Sequence, residues 1–313
     1  MTYLFDFVIF AILIYSAFWM YTIVHSFFCE KKVKPLKLLF LIFFIITFIT
    51  IFYGSFIEPK LITTTELSLN LNKTENKENV KIVFLADTHL GRYKKRTYTD
   101  LIVKKIKEQN PEIILLGGDY VLGKQESIQF LEPISELSKT TPTFAVWGNH
   151  EYNQGKYDDP SYSDKTQYIK PFFEKWNIQI LNNQNQILTI DDQKLAILGT
   201  GELFCRQDDL SAALENLDQQ TPKILISHNP DIILDSDIEK IDLTLSGHTH
   251  AGQIRLPWIG SIVQIPTELG RAYEYGLFQL NPGFLYVTNG LGESGARARL
   301  FNRPEIVTIN LDL

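Results

Sequence analysis

Two apolar runs without a single charge open the chain. Phe7 to Cys29 and Leu38 to Ile57 contain no Asp, Glu, Lys or Arg. About 20 residues of helix cross a hydrocarbon layer of roughly 30 Å, so each run is long enough to span one. Neither has the polar face that a helix on the flank of a soluble core carries. A cleaved signal peptide fits the first run less well, because no Lys or Arg precedes it and Asp6 has the wrong sign for that position. The pattern predicts a transmembrane hairpin over residues 1–57, with helices at about 7–29 and 38–57 and a loop at 30–37. That loop, Glu30-Lys31-Lys32-Val33-Lys34-Pro35-Leu36-Lys37, holds four lysines. The positive-inside rule places it in the cytoplasm and everything after Ile57 outside. The expectation is a multi-pass protein of the cell membrane, with the lipid bilayer as its partner and an extracytoplasmic domain.

Residues 58–313 read as that domain. Leu67, Leu69 and Leu71 alternate with polar positions, as in a half-buried strand. Asn72 to Asn79 is a polar turn. Short runs rich in β-branched and apolar residues follow at Lys81–Ala86, Ile113–Leu116, Thr143–Trp147, Leu195–Leu198, Ile224–Ser227 and Leu243–Ser246, each predicting a buried strand. Helices are expected over Thr97–Gln109, ended by Pro111, over Ser127–Ser138 and over Gln167–Trp176. Gly155–Ser163 is a polar loop, and Ile178–Leu181 with Gln186–Ile190 reads as a hairpin. Strands alternating with helices predict an α/β domain with much parallel pairing. Beyond Ile254, the runs Ile262–Ile265, Tyr273–Gln279, Gly283–Val287 and Glu305–Leu311 predict a mainly antiparallel second sheet.

Composition narrows the function. A net charge of -6 gives no general basic footprint for nucleic acid. Cys29 and Cys205 are two distant cysteines, which form neither a disulfide framework nor a C-x-x-C site.

Five of the six histidines fall in short motifs at the ends of apolar runs: Asp87-Thr88-His89, Gly148-Asn149-His150-Glu151, Ser227-His228-Asn229 and Gly247-His248-Thr249-His250, with Gly117-Gly118-Asp119 beside them. His25, inside the first apolar run, is the exception and reads as structural. Mixed imidazole, carboxylate and amide ligands suit borderline or hard divalent ions, and there are enough here for two. In parallel sheets, ligands bind beyond the carboxyl ends of strands, where all these motifs sit. Gly247 is expected to permit an unusual backbone angle between ligands.

Taken in order, D-x-H, G-D, G-N-H-E, H and G-H-x-H resemble the calcineurin-like metallophosphoesterase superfamily over roughly Lys81 to Leu313. The resemblance implies an αββα sandwich of two mixed β-sheets flanked by helices, with a dinuclear metal centre between them. It implies one ion held by Asp87, His89 and His250, a second held by Asn149, His228 and His248, and Asp119 bridging the two. It makes His150 the residue that protonates the leaving oxygen, a task suited to an imidazole; Asp87 is expected to orient it. Glu151 and Tyr152 are read as supporting residues. In the implied reaction, solvent activated between two divalent ions attacks phosphorus in line. Mn, Fe, Zn and Co all suit the ligands, so the metal stays open. One departure is Ala251, where many relatives have glycine.

The apolar hairpin and the tail from Gly290 to Arg299 resemble a bacterial membrane-associated branch that includes UDP-2,3-diacylglucosamine pyrophosphatase-like enzymes. Arg297 and Arg299 are expected to reach phosphate oxygens, with Arg303 a further candidate. The substrate expectation is a phosphoester or pyrophosphate bond in an envelope lipid or lipid precursor. A phosphodiesterase or nucleotidase with a soluble substrate stays open. A non-catalytic metal-binding scaffold also stays open, although every ligand of the pattern is present. No protein partner is implied.

Overall fold

The first apolar run forms α1 (Thr2–Cys29), and the second forms α2 (Pro35–Phe52), which Pro35 begins. Proline suits a first helical turn because its missing N–H would have no acceptor there. A computed structural model describes residues 2–30, 34–71, 79–154, 164–190 and 192–313. The polar turn expected before Asn79, the loop at 155–163 and Lys31 and Lys32 lie outside these residues. Both helices are long and apolar enough to cross a membrane by length and composition. They pack together through rings, with Trp19 stacked on Phe44 at 6.2 Å between centroids. None of the residues of α2 is buried, so its outward Leu, Ile and Phe side chains have no protein cover. The chain leaves α2 through a π-turn at Tyr53–Ile57 and a 3-10 turn at Glu58–Lys60.

Two mixed six-stranded sheets follow, as the resemblance implied. The first runs in the order β1 (Thr63–Asn70), β14 (Glu305–Asp312), β2 (Asn79–Leu85), β3 (Ile113–Leu116), β4 (Thr143–Ala145) and β5 (Gln179–Ile180). The second runs β12 (Gly276–Gln279), β13 (Phe284–Val287), β9 (Leu243–Ser246), β8 (Lys223–Ile226), β7 (Gln193–Gly199) and β6 (Gln184–Ile190). Period-two alternation with both faces apolar builds the layers. In β2, Ile82 and Phe84 enter the core between the sheets and meet Ile224, Ile226, Leu243 and Leu245 of the second. Val83 and Leu85 point the other way, onto Ile102 and Ile106 of α3 (Arg96–Gln109). The outer layer of the first sheet also takes a 3-10 helix (Gln125–Ile134) that leads into α4 (Ser135–Ser138), and α5 (Thr166–Lys175). The second sheet is covered by α6 (Leu210–Ala213) and the turn at Pro230–Leu234, through Leu210, Ala213 and Ile232.

Three expectations change. The helix expected at Ser127–Ser138 is mostly 3-10, because Pro133 lacks an N–H and its ring opposes the preceding α-turn. Ile178–Leu181 and Gln186–Ile190 do not pair as a hairpin: β5 joins β4 in the first sheet and β6 joins β7 in the second, so the chain crosses between layers. The strands after Ile254 do not build the second layer by themselves; apart from a two-stranded hairpin they join the two large sheets. β12 and β13 extend the second sheet, with β13 parallel to β9, while β14 inserts into the first between β1 and β2. Ile262–Ile265 is not a strand; a short hairpin of β10 (Arg255–Leu256) and β11 (Gly260–Ser261) precedes it.

Side chains clasp the first turn of α1 to the domain. Asp6 accepts from Arg92 at 2.8 Å and from the Tyr93 hydroxyl at 3.1 Å, and Arg297 lies 3.4 Å away.

Candidate metal centre

Strands β2, β3, β4, β8 and β9 all end on one edge of the sandwich, and the residues just past them converge. The turn there is tight. Asp87, His89, Asp119, His248 and His250 adopt φ of 54°, 42°, 56°, 68° and 49°. L-residues rarely enter this left-handed region, which costs about 1–3 kcal/mol each unless neighbours enforce it. Glycines and one carboxylate supply that enforcement. A methyl group at Gly148 would stand 2.2 Å from Asp119 Oδ1, one at Gly247 2.4 Å from Asp87 Oδ2, and one at Gly290 2.7 Å from Asp87 Cβ. Gly247 is therefore required by close approach; His248 beside it carries the unusual angle. Glu151, fully buried, accepts N–H donations from Asp119, Tyr120 and Gly148 and fixes the turn after β3.

All the motif residues meet. The ligand atoms of Asp87, His89 and His250 lie within 4.8 Å of one another, as do those of Asp119, His228 and His248. His89 Nε2 is 3.0 Å from His250 Nε2 and 3.5 Å from Asp119 Oδ2. His228 Nε2 is 3.2 Å from the same Asp119 oxygen, which thus stands between the two groups. His248 Nδ1 lies 3.0 Å from Asn149 Oδ1 and 3.3 Å from His228 Nε2.

Tautomers follow from the second partners. The Gly117 carbonyl, 2.7 Å from His228 Nδ1, accepts only if that nitrogen carries the proton, so in the neutral ring the Nε2 lone pair faces Asp119. The Pro266 carbonyl at 3.1 Å does the same for His248 Nε2 and turns its Nδ1 inward. The Nδ1 atoms of His89 and His250 find no partner among the described residues. Imidazole nitrogens, carboxylate oxygens and an amide oxygen held this close fit cations of the borderline class.

Protons take up part of this charge in the metal-free protein. Burial raises the Asp87 carboxyl to about 7. Burial opposes charge on His228 and Asp119 too, but each holds the other ionised: His228 is raised well above its ordinary value and Asp119 lowered well below. Burial lowers His248 to about 4, and lowers His89 and His250 as well.

His150 stands beside the cluster, its Nε2 3.9 Å from Asp119 Oδ2 and its ring edge-on to His89 at 4.7 Å. Its carbonyl accepts from buried Lys165 at 2.8 Å, and its N–H donates to Asp119 Oδ1 at 3.0 Å. Above lies a cleft of about 750 Å³, floored by Asp119, Asn149, His150, His248 and His250. Apolar side chains rim it: Phe5 from α1, Phe204, Ile254, Val263 and Pro266.

The tail arginines depart from expectation. Arg299 is fully buried and donates to the carbonyls of Asn302, Asn289, Gly290 and Gly292, with Glu293 beside it. It knits the tail beneath the Asp87–His89 turn and has no access to a phosphate. Arg297 turns to Asp6 and sits 4.3 Å over the Phe56 ring, at the junction with α1 rather than in the cleft. Phe5 and the Pro266 carbonyl were missed in the sequence. Nothing local marks either, since each reaches the site from a distant segment.

The sequence model of the calcineurin-like phosphoesterase family matches residues 80–252. The chain is similar to "Phosphodiesterase YaeI" of Escherichia coli (strain K12), at 34% identity over 76% of this chain and 84% of that one. An "Uncharacterized metallophosphoesterase" of Helicobacter pylori (strain ATCC 700392 / 26695) is 30% identical over 83% of this chain and 66% of its own length. The "Uncharacterized metallophosphoesterase YkuE" of Bacillus subtilis (strain 168) is 29% identical, over 83% of this chain and 88% of its own.

Proposed function

Because the chain belongs to the calcineurin-like phosphoesterase family and is accordingly a metal-dependent phosphohydrolase, we propose that it acts on a phosphoester or pyrophosphate bond of a membrane lipid. In this reading residues 1–57 anchor residues 58–313 to the bilayer. The observation that carries it is Phe5: the helix long enough to cross the membrane also forms a wall of the cleft over the Asp, His and Asn cluster. A purely soluble substrate has no use for an active-site wall built from the anchor. The apolar rim suits acyl or glycerol carbons while the polar floor takes the phosphate. A relative named as a phosphodiesterase supports a diester or pyrophosphate bond.

Asp87, His89 and His250 would hold one divalent ion, Asn149, His228 and His248 a second, with Asp119 shared. Such a pair, when bound, polarises the phosphoryl group and lowers the pKa of attacking water. The remaining work belongs to the chain. Gly117 and Pro266 hold the tautomers of His228 and His248, and Glu151 holds the turn that aims Asp119. The His150 imidazole donates a proton to the departing oxygen, and Phe5, Phe204 and Val263 exclude bulk water from the floor. The lysines between the helices favour a domain outside the cytoplasm, so an envelope phospholipid is a better substrate than a precursor such as UDP-2,3-diacylglucosamine, made on the inner face.

Hydrolysis of bis-p-nitrophenyl phosphate with added Mn²⁺ tests the chemistry. Asp119→Ala should lose at least about 100-fold, since even residues supporting a ligand are worth 10–100-fold. His150→Ala should lose about 10²–10⁴-fold while keeping bound metal. Equal turnover by wild type and both variants would leave a metal-binding scaffold. Offering phospholipids and nucleotide phosphodiesters to the full chain in detergent tests the substrate; preference for the nucleotides would replace the lipid reading.

A further inference from the structure

Beside the cleft, a hairpin offers to solvent the side chains that a lipid surface takes up. β10 and β11 pair Arg255 with Ser261 and Leu256 with Gly260, and Pro257, Trp258 and Ile259 form the turn. Trp258 is exposed at 103% of its reference area and holds a left-handed φ of 65°. Leu256, Ile259, Ile262, Val263 and nearby Phe301 are exposed as well. A contiguous apolar patch of this kind marks an interaction surface, and a strained bulky residue at its tip is a feature that folding alone does not reward.

Hydrogen bonds fix the patch beside the membrane-length helices. The Arg255 N–H donates to the Leu300 carbonyl at 2.9 Å, and the Arg299 N–H donates to the Gly54 carbonyl at 2.8 Å. The Asn302 N–H donates to the Glu58 carboxylate. Gly54 and Glu58 belong to the turns that leave α2, so Phe301 is flanked on both sides by residues tied to that exit. At about 3.3 Å per residue, Trp258 is no more than about 10 Å along the chain from Arg255. The other end of the same hairpin, at Ile254 and Val263, lines the cleft.

We infer that the Leu256–Ile259 turn, with Phe301, docks into the headgroup boundary of the membrane that α1 and α2 cross, and holds the cleft mouth against that surface. Aromatic side chains favour this boundary, where an apolar ring and a polar N–H are both satisfied. The inference rests on the membrane reading proposed above. It gives the cleft its direction: phosphoesters of lipids in the adjoining leaflet reach the metal cluster along an apolar path from Trp258 past Val263 to Phe5.

The test uses the full chain carrying Cys29→Ser and Cys205→Ser, reconstituted in vesicles of phosphatidylethanolamine and phosphatidylglycerol. An environment-sensitive fluorophore is attached through Trp258→Cys in one sample and through Glu215→Cys, at an exposed position before β8 and outside the cleft lining, in another. A blue-shifted emission quenched by doxyl-labelled lipid at position 258, with neither effect at 215, is the expected result. A water-like, unquenched label at 258 overturns the inference, as does a shielded label that lipid does not quench, which would indicate a second protein surface. Extraction of the chain by alkaline carbonate would remove the anchor reading together with this one. Retained protein with a solvated label at 258 would remove the docking alone. Hydrolysis of bis-p-nitrophenyl phosphate in the same vesicles reports separately on the metal chemistry.

Discussion

At Gly247 a single methyl group would meet Asp87 Oδ2 at 2.4 Å and Ala86 Cβ at 2.8 Å. Neither neighbour is the free end of a flexible side chain, so Gly247→Ala must push Asp87 out of the cluster or open the turn. The expected cost is about 1–3 kcal/mol of stability and a 10–100-fold loss of metal affinity, roughly what the loss of a ligand's support costs. Thermal melting and metal content after dialysis measure the two. Protons compete for the same atoms. Burial pushes the Asp87 carboxyl up to about 7 without metal, and neighbouring Asp119 keeps His228 protonated well above its ordinary value. Ligands must be deprotonated, so metal uptake should expel protons and strengthen with pH, by up to about tenfold per unit for each proton released. Adding Mn²⁺ to weakly buffered metal-free protein should acidify the solution near pH 7; no acidification would contradict the protonated cluster. The motif residues were legible because each stands directly after an apolar run, and strand ends gather on one edge. Arg299 was misread because its partners are backbone carbonyls, which leave no trace in the sequence.

Among the elements, α1 is longer than a bilayer requires. Its 28 residues extend about 42 Å at ~1.5 Å each, against roughly 30 Å of hydrocarbon. If the helix spans a bilayer as proposed, the excess permits the first turns to stand above the lipid, where Asp6 meets Arg92, Tyr93 and Arg297 and Phe5 enters the cleft. Asp6 is mostly buried there, while Arg92 stays partly open to water. Asp6→Ala should cost about 1–2 kcal/mol, between the values for exposed and buried pairs. Glu136→Ala, which breaks an equally short but open pair with Lys107, should leave the thermal midpoint nearly unchanged, because water screens an exposed pair. Thermal midpoints in one detergent compare them, and equal effects would mean the clasp does not couple helix to domain. The buried strands were legible from their apolar runs because both faces of each sheet are covered. Pairing was not: Gln179–Ile180 and Gln184–Ile190 are close in sequence, yet the chain changes sheets between them. The few residues from Leu181 to Asn183 span that step as readily as they would close a hairpin.

For the whole molecule, the two helices return the chain to one side, so the N-terminal turn of α1, the cleft and the hairpin at Trp258 lie together, and the facing ends of α1 at Cys29 and α2 at Pro35 lie opposite. The geometry fixes this relation but not which side is the cytoplasm. The proposed orientation rests on charge: the sequence places four lysines between the helices, and Lys37 pairs with Glu30 there. On the domain side Arg92 and Arg297 count against the loop, because the rule counts basic residues and acidic partners such as Asp6 change it little. Cys29, exposed at the loop end of α1, reports that face directly. In intact cells a membrane-impermeant maleimide should label Glu215→Cys in the domain at once, and Cys29 only after permeabilisation. The reverse order would place the cleft in the cytoplasm, and a nucleotide-linked lipid precursor would then become the better substrate for the same metal cluster. Fold and site are unchanged by that outcome; only the leaflet supplying the phosphoester is exchanged.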